Sequence, residues 1–194
     1  IKGFHHAVSI SDFNSEGFND LFFTDTGIFL NSAGTDFILD NSAIANTTIL
    51  SNPNYTSEIS DVDSDGYADL VVAGHEFQGA ETKIYWGSSS GDFNEDNTTA
   101  LPSISGHGVV VDIDIADFNR DGVNEILLNR AGSPPINSFY EGGAKLQMLE
   151  MRDRSDFRDI SSEVFPRLLS EYFRYGSGES INWFTWLRPA DLDN

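Results

Sequence analysis

The sequence predicts an all-β fold, a β-propeller of four-stranded antiparallel blades, and three observations carry that prediction. An acidic phrase recurs as SDFNSEGFNDLFF at 11–23, SDVDSDGYADLVV at 60–72 and ADFNRDGVNEILL at 116–128, and a further copy begins as ADLDN at 190–194. The opening aspartates, Asp12, Asp61, Asp117 and Asp191, stand 49, 56 and 74 residues apart, which suits one propeller blade per repeat with the last one lengthened. Apolar runs of strand length flank each copy. In VVVDIDIA at 109–116, isoleucine alternates with aspartate, the period-2 pattern of a strand with unlike faces.

Taken in order, each unit reads as strand, acidic loop, strand, strand, turn, strand. The first strands are FHHAVSIS at 4–11, YTSEIS at 55–60, VVVDIDIA at 109–116 and INWFTWLRPA at 181–190. The loops lead into LFFTD, LVVAG and ILLNR, followed by a second apolar run, GIFL, KIYW or KLQML. The turns NSAGTDF, GSSSGDF and RDRSDF then place Phe37, Phe93 and Phe157 at the opening of a last strand. The expected organisation is one partial propeller domain, 1–194, with blade units near 4–50, 55–104 and 108–161 and the start of the next blade at 179–194. SSEVFPRLLSEYF at 161–173 breaks the pattern and reads as a short helical insertion, with Ser162 capping one turn and Pro166 opening another. Three blade units do not close a ring. The expectation is therefore a piece of a larger propeller, its missing blades in the parent chain or its open faces covered by self-association.

Composition narrows the function classes. With 31 acidic and 11 basic side chains the formal charge is −20, which disfavours nucleic acid and anionic membranes as partners. The absence of cysteine excludes disulfides and cysteine-based zinc sites, and no apolar run is long enough for membrane insertion as a helix.

Three or four acids within nine residues repel one another unless a cation lies among them. Acids alternating with other residues and closed by a glycine match the way a hard cation gathers oxygens, from side chains at positions 1, 3 and 5 and a carbonyl at position 7. In the second loop this directs Asp61, Asp63 and Asp65 inward together with Asp69, gives the bend to Gly66 and offers the carbonyl of Tyr67. Calcium is the preferred ion. Magnesium demands stricter octahedral geometry, and zinc favours nitrogen or sulfur ligands. An EF-hand would need a bidentate glutamate at position 12, where Phe23, Val72 and Leu128 stand, and flanking helices in place of strands.

These loops, set between strands at blade spacing, resemble the FG-GAP or VCBS repeat, the calcium-binding blade motif of integrin-α-like propellers. DVDSDGYADLVVAG is the best match. The resemblance implies about three calcium sites. Their ligands would be Asp12, Asn14, Glu16 and Asp20; Asp61, Asp63, Asp65 and Asp69; and Asp117, Asn119, Asp121 and Glu125. The carbonyls of Phe18, Tyr67 and Val123 would complete the sets, and Asp191 and Asp193 would begin a further loop. Because Glu16 replaces an aspartate and Asn14 and Asn119 are neutral, the first and third loops are expected to bind more weakly than the second.

No nucleophile elbow, zinc-protease helix or phosphate-cradling loop occurs in the sequence. His75, beside Glu76, and His107, between glycines, are the histidines with a route to a central cavity. The aromatics Tyr85, Trp86, Trp183, Phe184 and Trp186 are read first as packing between blades and second as a sugar-stacking platform. Asn46, Asn54 and Asn97 open Asn-x-Ser/Thr triplets, a number that an Asn-, Ser- and Thr-rich chain yields by chance. The leading reading is a calcium-stabilised, non-enzymatic extracellular or cell-surface module recognising a glycan or a protein, with the periplasm as a further location. The alternatives are the propeller domain of a secreted carbohydrate-active enzyme, such as a polysaccharide lyase, and a structural spacer. An enzyme would set His75 or His107 beside a tyrosine and a basic residue in one cleft.

Overall fold

The computed structural model describes residues 7–136, 138 and 144–165. Among the described residues, twelve strands form three four-stranded antiparallel sheets, each joined in simple sequential order. Sheet one contains β1 (Val8–Ser11), β2 (Asp20–Phe23), β3 (Gly27–Ser32) and β4 (Asp36–Leu39). Sheet two contains β5 (Asn54–Ser60), β6 (Asp69–Gly74), β7 (Lys83–Tyr85) and β8 (Thr98–Ala100). Sheet three contains β9 (Val109–Ala116), β10 (Glu125–Ala131), β11 (Ala144–Asp153) and β12 (Asp156–Asp159). The acidic phrase joins the first strand of every sheet to the second. This is the blade arrangement expected of a propeller, and the protein is all-β in the manner the repeats predict.

The first strands lie side by side, β5 packing against β1 on one flank and β9 on the other. Ser9 of β1 hydrogen-bonds Ser57 of β5, Oγ to Oγ at 2.6 Å. From this shared edge the sheets fan outward and pack face to face. Alternation along the strands gives each sheet two apolar faces. Phe22 and Ile28 of sheet one bury against Leu70, Val72 and Tyr85 of sheet two. The opposite face of sheet two, with Val71, Ala73, Ile84 and Trp86, buries against Ile126, Leu128 and Leu149 of sheet three. Each full side-chain burial of this kind stabilises by about 1.5–3 kcal/mol. Registers relate the faces: Leu21 pairs Phe29 in sheet one as Leu70 pairs Tyr85 in sheet two. The sheets therefore join head to tail, the leading face of one always meeting the trailing face of the one before.

Two elements differ from the sequence expectation. Phe37 and Phe157 lie in the last strands of their sheets, but Phe93 precedes the last strand of sheet two, which runs Thr98–Ala100. A turn at Asn94 intervenes, its side chain accepting the Asp96 N–H and its carbonyl the Asn97 N–H. Phe93 instead fills the contact between sheets one and two. The helical insertion begins as a four-residue helix, α1 (Ser161–Val164). Its entry is fixed by Asp159, whose Oδ1 accepts the Ser161 N–H at 2.9 Å, and not by Ser162. Residues 166–173 of the expected insertion and the strand at 181–190 lie outside the described residues.

Candidate metal centre

All three acidic loops fold by the same hydrogen bonds. The first aspartate receives two backbone N–H groups. Asp12 accepts from Glu16 and Gly17, Asp61 from Asp65 and Gly66, and Asp117 from Asp121 and Gly122, at 2.7–3.0 Å. The position-3 side chain, Asn14, Asp63 or Asn119, accepts the position-5 N–H as well. This wrapping requires positive φ at two places. Gly17, Gly66 and Gly122 supply one at +89°, +91° and +92°, while Ser15, Ser64 and Arg120 adopt about the same left-handed form at +57°, +62° and +61°. A side chain at Gly66 would meet nothing within 4 Å, so the glycine is there for its backbone conformation, not for space.

The acid at position 9 holds the loop to its sheet. Asp69, 0% exposed, accepts the Val62 N–H at 2.8 Å through Oδ2 and the Gly87 N–H at 2.8 Å through Oδ1. Asp20 receives Phe13 and Asn31 in the same way. Glu125 receives the Phe118 N–H at 2.9 Å and the Asn119 amide at 3.0 Å. Burial pushes the Asp69 carboxyl up to about 6, against the pull of the Gly87 and Val62 N–H groups, and Asp63 and Asp65 push it the same way. Glu125 is raised too, first by burial, with Asp121 and Asp117 adding.

Among the described residues, Asp61, Asp63 and Asp65 form the one group of three acids with converging oxygens, their candidate ligand atoms lying within 4.8 Å of one another. Two oxygens each 2.3–2.6 Å from a shared calcium lie at most about 5 Å apart, so this set fits that ion. The backbone bonds to these carboxylates do not exclude a metal, since each oxygen carries a second lone pair. In the third loop, by contrast, the Asn119 amide donates to Asp121 at 2.9 Å as well as to Glu125, and a donor stands where the second loop has an acceptor. Asp191 and Asp193 lie outside the described residues.

The second loop is also tied to sheet three. Asn124 donates from Nδ2 to the Asp61 carbonyl at 2.9 Å. Arg154, in the turn between β11 and β12, donates from Nε to Asp63 Oδ2 and from Nη2 to Asp65 Oδ2, the latter at 2.6 Å. Its guanidinium lies 4.9 Å from the Trp86 ring centre. Asn124 and Arg154 escape a sequence reading: both act on a loop more than sixty residues away, Asn124 from a position of the repeated phrase that varies between copies and Arg154 from outside the phrase.

The other sequence candidates have packing roles where they are described. Tyr85 and Trp86 are buried between sheets, 0% and 2% exposed. His75 does lie beside a tyrosine, its ring 5.6 Å from that of Tyr55 and 5.7 Å from that of Phe77. The basic residue of this region, Arg130, is wholly enclosed: it donates to Gln147 at 2.7 Å, to Glu76 at 2.9 Å and to the carbonyls of His107 and Pro102. Four of its five N–H donors are engaged and the side chain is 0% exposed, so this guanidinium is not presented to a substrate. Asn54 and Asn97 each use the amide nitrogen, the atom a glycan would occupy, to hydrogen-bond a backbone carbonyl. His5, His6, Trp183, Phe184 and Trp186 lie outside the described residues.

Repeated four-stranded antiparallel sheets, each with an acidic loop between its first two strands, define a propeller-type repeat protein. Residues 61–128 match the family model of the FG-GAP-like repeat, which supports an FG-GAP repeat protein. The matched segment starts at Asp61 and ends in β10, so it takes in the second and third loops. No curated protein matches the chain.

Proposed function

We propose that this protein is a calcium-stabilised recognition module of the extracellular space or cell surface, binding a glycan or a protein without chemical turnover. The observation that carries the metal half of this reading is the convergence of Asp61, Asp63 and Asp65 within 4.8 Å on a loop already folded by its own backbone. Those three side chains would hold the ion, with the Tyr67 carbonyl beside them. Bound there, calcium would turn repulsion among the acids into attraction and cross-link the two ends of the loop. A site enclosed by protein oxygens leaves no open position for a substrate, which favours a structural ion over a catalytic one. Asp12, Asn14 and Glu16, and Asp117, Asn119 and Asp121, are proposed as weaker sites of the same kind.

FG-GAP repeats typically occur in extracellular proteins, and among the described residues no helix is long and apolar enough to cross a membrane. Calcium-rich surroundings suit loops of this ligand set. Recognition is supported by the fold class, which presents loops at the ends of stacked sheets, and by the enclosure of Arg130, which keeps this basic residue near His75 from serving a lyase reaction.

Thermal unfolding in calcium and in excess chelator tests the metal, because a ligand of the native state alone raises the melting temperature by mass action. The expected result is a calcium-dependent rise that is reduced in Asp61→Asn. An identical melt in both conditions overturns it. A glycan array, with each hit incubated and its products analysed, tests the second half: binding without cleavage is expected, and cleavage establishes the enzyme reading instead.

A further inference from the structure

We infer that Arg154 is a built-in competitor for the cation of the second loop, so that metal occupancy there is exchanged against a contact between sheets two and three. The inference rests on the calcium reading of Asp61, Asp63 and Asp65. Of the six carboxylate oxygens in that group, four accept backbone N–H groups: both of Asp61, from Asp65 and Gly66, Oδ1 of Asp63, from Asp65, and Oδ1 of Asp65, from Tyr67. The remaining two, Asp63 Oδ2 and Asp65 Oδ2, are the ones Arg154 holds. A guanidinium and a divalent ion on the same pair of oxygens repel at close range, and a planar fork gripping both oxygens covers the approach to them. One cation therefore displaces the other.

Arg154 is placed for this from several directions. Its own carbonyl accepts the Thr99 hydroxyl of β8, and its guanidinium covers Trp86. The backbone of the turn thus stays fixed while the side chain, 40% exposed, is free to swing into solvent. The chain supplies its own comparison. The turn of sheet two sits against the first loop as the turn of sheet three sits against the second: Phe93 packs edge-on to Phe13 at 6.3 Å, and a Cβ on Gly91 would lie 3.4 Å from the Phe13 carbonyl. That turn reads Ser88, Ser89, Ser90, Gly91, with no basic residue. The first loop has no counterpart of Arg154 in the turn it faces, and the most acidic loop does. The affinity order expected from ligand charge alone is thereby compressed or reversed.

Calorimetric calcium titration of the wild type, Arg154→Gln, Arg154→Lys and Asp63→Asn tests this, together with the arginine Nε–H signals in a nitrogen-15 NMR spectrum. The event abolished by Asp63→Asn identifies the second loop. The expected result is that this event is at least fivefold tighter in Arg154→Gln and intermediate in Arg154→Lys, which keeps the charge but loses the fork. The other binding events stay unchanged, and one Nε–H signal shifts with calcium in the wild type and is missing from Arg154→Gln. An affinity in Arg154→Gln equal to or weaker than wild type overturns the competition and leaves the calcium reading standing. Absence of calcium binding in both the wild type and Arg154→Gln overturns the two together.

Discussion

The Gly87 amide donates to Asp69 Oδ1 at 2.8 Å, fastening the exit of the third strand of sheet two to the acid that ends the loop between its first two strands. The other oxygen of Asp69 accepts the Val62 N–H, so one buried carboxylate gathers three chain segments. Asp69→Ala leaves two buried N–H groups without acceptors and is expected to destabilise by about 3 kcal/mol. Asp69→Asn, which keeps one acceptor but points a donor at the other N–H, falls between it and the wild type. Urea unfolding of the three proteins in chelator measures both differences without a metal contribution.

Gly87 and Gly66 are required for different reasons, and alanine separates them. A Cβ on Gly87 would come 2.2 Å from the Ala68 carbonyl, a backbone atom that cannot yield cheaply. A Cβ on Gly66 meets nothing, and its cost is the left-handed backbone alone, about 1–2 kcal/mol. Gly87→Ala should therefore lose clearly more stability than Gly66→Ala in parallel urea titrations, and equal losses would refute the steric account.

Arg130 and Glu76 form an ion pair at 2.9 Å whose arginine side chain is 0% exposed. Breaking a buried pair strands the remaining charge, so Arg130→Met should destabilise by about 3–5 kcal/mol. Adding Glu76→Gln to Arg130→Met removes that stranded charge, and the double variant is expected to lose less than the two single losses combined. A double-mutant cycle by chemical denaturation gives the coupling directly; strict additivity would show that the pair is not interacting.

Glu95 gives the protein an acid limit. Burial alone would raise its carboxyl, but hydrogen bonds from Lys83, the Thr48 N–H and the Tyr85 hydroxyl hold it at about 2, against 4.5 ordinarily. The folded state thus binds this proton less readily than the unfolded chain. The stability it contributes is complete above about pH 4.5 and disappears as the pH falls toward 2. Glu95→Gln should flatten the fall of the urea midpoint across that window. An unaltered pH profile would mean that the Lys83 and Thr48 contacts do not persist in solution.

The sheets and loops were legible because their determinants are local. Asp61, Asp63, Asp65 and Gly66 declare a loop within six residues, and alternation in VVVDIDIA declares the strand Val109–Ala116. Left-handed backbone at Ser15, Ser64 and Arg120 was hidden, because no residue-type signal marks it; the hydrogen bonds around it impose it. The repeated turn places Phe93, like Phe37 and Phe157, at the opening of a strand. The inserted turn at Asn94 moved the strand five residues on, and the apolar ring stayed in the core where its burial is worth most. Arg154 was invisible for another reason. Its partners, Asp63 and Asp65, are about ninety residues away, and the way one sheet lies on the next sets the distance between them.

Face-to-face stacking in a constant sense gives the array a polarity, like that of a polymer built from one kind of monomer. A whole unit inserted between Phe22 of one sheet and Leu70 of the next would find a compatible surface on each side, whereas an inverted unit would find none. Duplication or deletion of one complete repeat is therefore a small step for a gene encoding such a protein, and loss of half a repeat is a large one. Cross-loop links such as Asn124 to Asp61 and Arg154 to Asp63 are made between neighbours, so they would have to be re-established at every new junction. Evolution has room to alter the number of units freely and the character of each junction separately.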